Sequence, residues 1–174
     1  MNKALFLDRD GVINIDHGYV YKIEKFEFTE GIFDLLRLFL AKGYLLFIVT
    51  NQSGIGRDYY SEEDFQKLTA WMSEEFKKEN IHIVSVHHCN HAPEENCACR
   101  KPQTGMVDEI LSQHAIDLEN SWLIGDKQSD IDLARNSKIL QSIAIGERKI
   151  ENATYSFKTI LECKLFLEEN KVII

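Results

Sequence analysis

Short runs of apolar residues alternate along the chain with longer segments in which apolar residues recur every three or four positions. Continuous apolar runs are typical of parallel strands that are covered on both faces. They predict strands at 4–7, 45–49, 83–86, 122–124 and 143–145. Strands that alternate with helical segments indicate an α/β fold with a doubly wound parallel sheet.

The helical segments are identified by apolar residues that share one face of a helix. This periodicity predicts helices around 32–39, 65–76, 106–114, 131–134 and 157–167. Ser61, followed three residues later by Asp64, resembles a capping box at the start of the second of these helices. The segment 87–103 shows no clear element, and loops of this length in a compact domain are usually functional or held by something other than a core.

Size and charge narrow the class of protein. The 174 residues fit one domain, 1–174, and an apolar share of 44 % suffices for a substantial core. A net charge of −8 argues against binding to nucleic acid or to an anionic membrane, because both require a basic surface. We find neither a signal peptide nor an apolar run of about 20 residues, so the expected location is the cytoplasm.

Two carboxylates directly follow the first predicted strand. In an extended chain, the side chains of Asp8 and Asp10 point the same way, and Gly11 permits a sharp turn after them. Open α/β sheets place their sites at the carboxyl ends of strands. Two carboxylates this close require a shared cation or a proton, and Mg2+ prefers oxygen ligands. The alternative is a solvated acidic turn.

Further polar residues follow later strands. Thr50 ends the second predicted strand, Lys101 precedes Pro102, and Asp126 follows the fourth strand. A hydroxyl and an ammonium group can hold phosphate oxygens, and a third acid can bind a metal. Taken singly, each of these residues is a weak signal, and the alternatives are a capping or turn role for Thr50, a solvated Lys101 and a helix cap at Asp126.

In this order, the acid pair, hydroxyl, lysine and final acid resemble the haloacid dehalogenase superfamily, from Ala4 to about Ile145. The resemblance implies a Rossmann-like fold and an Mg2+-dependent phosphatase in which Asp8 attacks phosphorus and Asp10 acts as acid and then base. It implies that Thr50 and Lys101 hold the phosphoryl oxygens, and that Asp8, the Asp10 backbone carbonyl and Asp126 bind Mg2+. We expect the surrounding anions to raise the pKa of Asp10.

A compact cysteine and histidine cluster lies in the long loop. Cys89, His91, Cys97 and Cys99 match a structural zinc site in ligand type and number, whereas reduced free cysteines are the alternative. Four protein ligands leave no open position for catalysis by this metal. Since Cys99 precedes Arg100 and Lys101, a zinc-bound loop would fix the position of both cations.

Four sequence blocks resemble one branch of the superfamily. Segments 8–14, 16–20, 50–55 and 99–102 resemble the D-glycero-D-manno-heptose-1,7-bisphosphate 7-phosphatases. The related histidinol-phosphate phosphatases generally lack the block at 16–20. This resemblance implies a small sugar-phosphate substrate, a role in carbohydrate metabolism and lipopolysaccharide core biosynthesis, and a monomer. A non-enzymatic, zinc-stabilised binding module is the alternative from another class.

The same resemblance implies a set of substrate contacts. These are Asp16, His17, Gly18, Tyr19, Asn51, Gln52, Ser53, Arg100 and Lys127. A turn-forming role is the alternative for residues 16–18. The chain departs from the family pattern at Asp58, where a glycine is expected, and at Asn136-Ser137. The short segment between Asn14 and Phe26 leaves no room for a large cap domain, so we expect a capless enzyme.

Overall fold

The computed structural model describes residues 1–171 and 173–174, and within these residues six strands form one sheet. The strands are β1 (Ala4–Leu7), β2 (Leu45–Asn51), β3 (Ile83–Cys89), β4 (Trp122–Gly125), β5 (Gln141–Ile145) and β6 (Tyr155–Phe157). Every neighbouring pair is parallel, in the order β3-β2-β1-β4-β5-β6. Strand order reverses between β1 and β4, and the carboxyl edge at such a reversal is where open α/β sheets bind ligands.

Helices cover both faces of the sheet. They are α1 (Ile32–Ala41), α2 (Ser53–Gly56), α3 (Glu62–Lys78), α4 (Gly105–Gln113), α5 (Gln128–Asn136) and α6 (Ile160–Glu169). Because alternate residues of a strand face opposite sides, Leu5 and Leu7 pack with α1, α3 and α6, whereas Ala4 and Phe6 pack with α4 and α5. The doubly wound α/β prediction is therefore confirmed. The capping box of Ser61 and Asp64 is also present at the start of α3.

The end of the chain differs from the sequence prediction. The prediction that the last helix starts at Phe157 was wrong, because Phe157 belongs to β6 and pairs with Ile145. Helix α6 starts at Ile160, where the Thr159 hydroxyl accepts the N–H of Glu162 at 3.1 Å. An edge strand of three residues is too short to show a period of its own. In the same way, β3 runs on to Cys89, so the long loop begins later than predicted.

The connections beside the site are short. Residues 8–31 join β1 to α1 and contain a 3-10 turn at Ile23–Lys25. Helices α2 and α3 join β2 to β3, and α3 packs against the sheet through its buried apolar face. Within the described ranges, neither of these two connections forms a separate cap layer, as expected for a capless enzyme. In the part of the chain that the structure describes, no helix is long and apolar enough to cross a membrane.

Candidate active site

A cleft of about 360 Å³ opens at the carboxyl edge of the sheet, where the strand order reverses. Most of the residues predicted from the sequence line it: Asp8, Asp10, Asp16, Gly18, Tyr19, Asn51, Gln52, Ser53, Arg100, Lys101 and Lys127. Thr50 and Asp126 lie buried next to these residues, and His17 faces another groove. The fold thus brings together side chains from segments that are more than 100 residues apart.

Asp8 and Lys101 form a buried ion pair in the cleft. Lys101 Nζ lies 2.8 Å from Asp8 Oδ1 and also donates to the Val49 carbonyl at 2.9 Å. Burial by itself lowers the pKa of Lys101, but the Asp130 and Asp8 carboxylates outweigh it and raise the pKa above its usual range. Burial also raises the pKa of Asp8, and Lys101 only partly offsets this effect. Lys101 is therefore a fixed cation beside the candidate nucleophile.

The second partner of Lys101 is Asp130, to which the sequence analysis assigned no function. Asp130 Oδ1 lies 2.7 Å from Lys101 Nζ, and Oδ2 accepts the N–H groups of Asp126 and Lys127, each at 3.1 Å. Gly125 permits this packing, since a Cβ there would lie 2.1 Å from Asp130 Cβ. Asp130, and not Asp126, thus supplies the carboxylate cap of α5. An acid at the third position of a helix is the sequence signal for this role.

The carboxylates of Asp8, Asp126 and Asp130 form an acidic cluster whose ligand oxygens lie within 4.8 Å of one another. Asp126 Oδ1 is buried without a hydrogen-bond partner among the described residues. Burial first, and then Asp8, raise the pKa of Asp126 to about 7. A buried carboxylate oxygen without a partner and a raised carboxyl pKa are typical of residues that bind a cation. The cluster therefore fits Mg2+.

The turn after β1 is shaped around this cluster. Gly11 has a φ of +88°, and a Cβ there would lie 2.3 Å from Asp126 Oδ2. Arg148, beyond the region of family resemblance, donates to the same Asp126 oxygen at 2.8 Å. It also donates to the Asp126 carbonyl at 3.2 Å. The sequence offered no signal for Arg148, because it lies in a turn after β5.

Asp10 has a different environment from Asp8. Its Oδ1 accepts from Arg9 at 2.9 Å and from Asn14 at 3.0 Å, and its Oδ2 accepts from Gln52 at 3.0 Å. Burial by itself raises the pKa of Asp10, but the Arg9 charge and these hydrogen bonds lower it below its ordinary value. The expectation that neighbouring anions raise this pKa was wrong, because a cation and amide donors lie closest to the Asp10 carboxylate.

Thr50 belongs to a short polar network below the cleft. Its hydroxyl accepts from Gln52 Nε2 at 2.9 Å, which leaves its own hydrogen available to another acceptor. The Tyr60 hydroxyl donates to Gln52 Oε1. Burial raises the pKa of Tyr60 to about 12, so this phenol stays protonated. Tyr60 was not among the predicted site residues, and its ring packs against Gly54, where a Cβ would lie 2.1 Å from it.

The segment 16–19 forms part of the cleft entrance. Asp16 Oδ1 accepts the Gly18 N–H at 3.0 Å, and Tyr19 packs edge to face on Tyr59 with ring centroids 4.8 Å apart. His17 lies outside the cleft, because its Nε2 pairs with Glu27 at 3.2 Å. Both readings of residues 16–18, as a turn and as part of the site, are thus compatible with their placement. Arg57 also lines the cleft and was not predicted.

Cys89, His91, Cys97 and Cys99 converge at one point. Contacts between their Sγ and Nδ1 atoms range from 2.9 to 3.6 Å. In a tetrahedral site with Zn–S bonds of about 2.3 Å, two sulfurs lie about 3.8 Å apart. The four side chains therefore fit zinc in ligand type and number, and their ligand atoms converge somewhat more closely than in a zinc-bound site.

This cluster lies directly beside the cleft. The Arg100 N–H donates to Cys97 Sγ at 3.3 Å, and the Lys101 N–H donates to Asn51 Oδ1 at 3.0 Å. Gly105 lies against the loop, since a Cβ there would be 2.6 Å from the Ala98 carbonyl oxygen. The loop backbone is thus held at the point where the chain enters the site.

Comparisons with known proteins agree with this architecture. Residues 98–147 match the HAD-hydrolase-like family model. A heptose 1,7-bisphosphate phosphatase structure from B. bronchiseptica, complexed with magnesium and phosphate, superposes with a TM-score of 0.83 at 21 % identity, over 97 % of this chain and 99 % of that one. A putative HAD-like phosphatase from Mesorhizobium loti superposes with a TM-score of 0.82 at 26 % identity, over 97 % and 87 % of the two chains. The fold is that of the haloacid dehalogenase superfamily.

Sequence relatives identify the family within it. A D-glycero-α-D-manno-heptose-1,7-bisphosphate 7-phosphatase of Campylobacter jejuni is 50 % identical over 98 % of both chains. A β-anomer 7-phosphatase of Helicobacter pylori is 46 % identical over 96 % of this chain and 95 % of its own. The chain belongs to the family of D-glycero-D-manno-heptose-1,7-bisphosphate 7-phosphatases.

Proposed function

We propose that this chain hydrolyses the 7-phosphate of D-glycero-D-manno-heptose 1,7-bisphosphate through an aspartyl-phosphate intermediate. The family assignment supports the substrate class. The observation that carries the mechanism is the buried contact of 2.8 Å between Asp8 and Lys101 in a cleft at the switch point of the sheet. A carboxylate next to a fixed cation is suited to attack a phosphoryl group whose charge that cation offsets.

In the first step, an Asp8 oxygen forms a bond to phosphorus, and the bond from phosphorus to the sugar oxygen breaks. Asp10 gives its proton to the departing oxygen, so the sugar leaves as an alcohol. Lys101 and the Thr50 hydroxyl would hold the phosphoryl oxygens, and Asp130 keeps Lys101 in place. Although burial raises the pKa of Asp10, the Arg9 charge and the hydrogen bonds to Asp10 lower it overall. An incoming phosphate anion opposes that effect and favours the protonated acid.

In the second step, water attacks the aspartyl phosphate. Asp10, now a carboxylate, accepts a proton from this water as its oxygen bonds to phosphorus. The bond between phosphorus and the Asp8 oxygen then breaks, which releases inorganic phosphate and restores Asp8. Asp8, Asp126 and the Asp10 backbone carbonyl would hold Mg2+, which offsets charge on the phosphoryl oxygens when bound.

Recognition of a sugar bisphosphate would come from the loops around the open cleft. Arg100 and Lys127, both in the cleft lining, would contact the second phosphate or the sugar. Asp16, Gly18 and Tyr19 would contact the substrate from the entrance, together with segment 51–53. His17 would contribute only if it left Glu27, with which it pairs in the structure.

Zinc at Cys89, His91, Cys97 and Cys99 is part of the proposal, as a structural ion. Thiolate ligands require reducing conditions, which favours a cytoplasmic location. Packing of α6 against α1 and the sheet supports residues 1–174 as one phosphatase domain. We also propose a monomer, because the family resemblance implies one.

A phosphate-release assay tests the proposed function. The substrates are both anomers of the heptose bisphosphate, other sugar bisphosphates and histidinol phosphate, each with Mg2+. We expect a heptose bisphosphate to have the highest kcat/KM, and Asp8→Asn to lose at least about 1,000-fold in kcat. Asp34→Asn, at an exposed residue on α1, is the matched control. Preference for histidinol phosphate would overturn the substrate, and full activity of Asp8→Asn would overturn the mechanism.

A further inference from the structure

Arg9 lies between the two catalytic candidates in sequence, yet its side chain does not line the cleft. It is 1 % exposed and is among the largest fully buried side chains. The mechanism proposed above does not use it. Burying a guanidinium is unfavourable unless its charge is paired and its N–H groups are hydrogen-bonded. The contacts of Arg9 therefore indicate its role.

One nitrogen of Arg9 joins two parts of the site. Nη2 donates to Asp10 Oδ1 at 2.9 Å and to the backbone carbonyl of Val20 at 2.6 Å. A guanidinium Nη atom carries two hydrogens, and both are used in these contacts. Val20 is the last residue of the entrance segment, residues 16–20, of which Asp16, Gly18 and Tyr19 line the cleft. A single planar group thus spans the candidate general acid and the end of the entrance segment.

The rest of the Arg9 guanidinium lacks the hydrogen bonds that a buried charge needs if its only role is to stabilise the fold. Nε and Nη1 have no hydrogen-bond partner within the residues that the structure describes. The guanidinium carbon lies 6.0 Å from the ring centroid of Phe26 and 5.9 Å from that of Phe65, which limits where the group can move. An apolar side chain of similar size would fill this space without leaving buried N–H groups unsatisfied.

We infer that Arg9 is a positioning residue that couples the entrance segment 16–20 to the orientation of Asp10. Its planar donor group holds the Asp10 carboxylate and the Val20 carbonyl at a fixed separation. Movement of the entrance segment would therefore change the direction in which Asp10 presents its proton. This inference rests on the proposed function, since it assigns Asp10 the role of general acid.

Substrates with different leaving groups test the inference. A sugar oxygen needs a proton to depart, whereas the nitrophenolate of p-nitrophenyl phosphate departs as a stable anion. The value of kcat/KM covers the steps up to formation of the aspartyl phosphate, where this proton is used. We expect Arg9→Met to lower kcat/KM for the heptose bisphosphate by about 100-fold and for p-nitrophenyl phosphate by less than about threefold. Arg9→Lys restores a charge and should recover part of the loss.

Loss of stability alone would produce a different pattern. Ile110→Ala, in the core on the opposite face of the sheet, is the control for a destabilised chain and should change both substrates alike. Hydrogen exchange of segment 16–20 should rise in Arg9→Met and not in Ile110→Ala. Three outcomes would overturn the inference. Arg9→Met could lose kcat/KM equally for both substrates, its segment 16–20 could show unchanged hydrogen exchange, or both Arg9 variants could fail to fold.

Failure of the proposed function would be visible separately. It would appear in the wild-type substrate screen or in Asp8→Asn. If the wild type prefers another alkyl phosphate, that substrate replaces the heptose bisphosphate and the Arg9 comparison stands. Failure of the Arg9 inference would appear only in the ratio between alkyl and aryl substrates.

Discussion

Lys101 Nζ lies 2.7 Å from Asp130 Oδ1, and both side chains are buried. This contact joins the loop that holds the cysteine cluster to the first turn of α5. Because Asp130 also accepts two backbone N–H groups, it can hold Lys101 in place beside Asp8. The position of Lys101, the cation that we propose holds the phosphoryl group, therefore depends on an acid to which the sequence pattern assigned no role.

Asp130→Asn should impair both activity and stability. The amide keeps the shape of the side chain but leaves Lys101 with less compensating charge, and breaking a buried ion pair costs about 3–5 kcal/mol. We expect a loss of about 10- to 100-fold in kcat/KM, because Lys101 is no longer held. Phosphate release and urea unfolding measure the two effects. Asp132→Asn, on the same helix, is the control, and equal behaviour of the two variants would contradict this role of Asp130.

Gly11→Ala should weaken Mg2+ binding. A Cβ at this position would lie 2.3 Å from Asp126 Oδ2, in addition to the strain of a φ of +88°. Gly43 has a φ of +81° with nothing within 4 Å, so Gly43→Ala shares the strain without the clash. Both variants should lose about 1–2 kcal/mol in free energy of unfolding, because alanine is strained at a positive φ. Titration calorimetry with Mg2+ should show weaker binding for Gly11→Ala alone, and equal affinities would refute the clash.

The stability of the metal-free protein should depend on Asp126 ionisation. The pKa of Asp126 is raised from 3.8 to about 7, so the folded chain retains a proton that the unfolded chain has lost in this range. Protonation of Asp126 therefore adds at most about 4 kcal/mol to the free energy of unfolding. This contribution is fully present below about pH 4 and is lost as the pH rises through about 7.

Urea unfolding at a series of pH values, with chelator, measures this dependence. The difference in free energy of unfolding between wild type and Asp126→Asn should shrink or reverse as the pH rises, because the amide does not titrate. Saturating Mg2+ should oppose the loss, since the cation stabilises the ionised carboxylate. Parallel curves for the two proteins without metal would show that Asp126 titrates normally.

Removal of zinc should affect activity through the loop. Protein purified without chelator should contain about one zinc per chain, and Cys97→Ser should contain much less. We expect a lower melting temperature and at least about a tenfold loss of activity even with Mg2+ supplied, because the loop positions Lys101. Elemental analysis, thermal melts and phosphate release measure these effects. Cys163→Ser, in the α6 core, should keep its zinc, and zinc-free wild type would exclude the site.

Much of the architecture could be predicted from local pattern. Apolar runs predicted the five longer strands, because a strand that is buried on both faces has to be apolar throughout. The order of Asp8, Thr50, Lys101 and Asp126 along the chain indicated the site through its resemblance to the haloacid dehalogenase superfamily. Parallel strands bring the ends of β1, β2 and β4 to one edge, which explains why Asp8, Thr50 and Asp126 meet there. The three-residue β6 was missed, since a segment of this length has no measurable period.

The sequence by itself therefore determined the fold class and the chemical types gathered at the cleft, through periodicity and the position of residues after strands. Only the tertiary structure decided which groups are paired. Asp130 contacts Lys101, Arg148 contacts Asp126 and Arg9 lowers the pKa of Asp10, and each depends on distances of a few ångströms. Coulombic and hydrogen-bond energies change steeply over such distances, whereas sequence spacing does not resolve them.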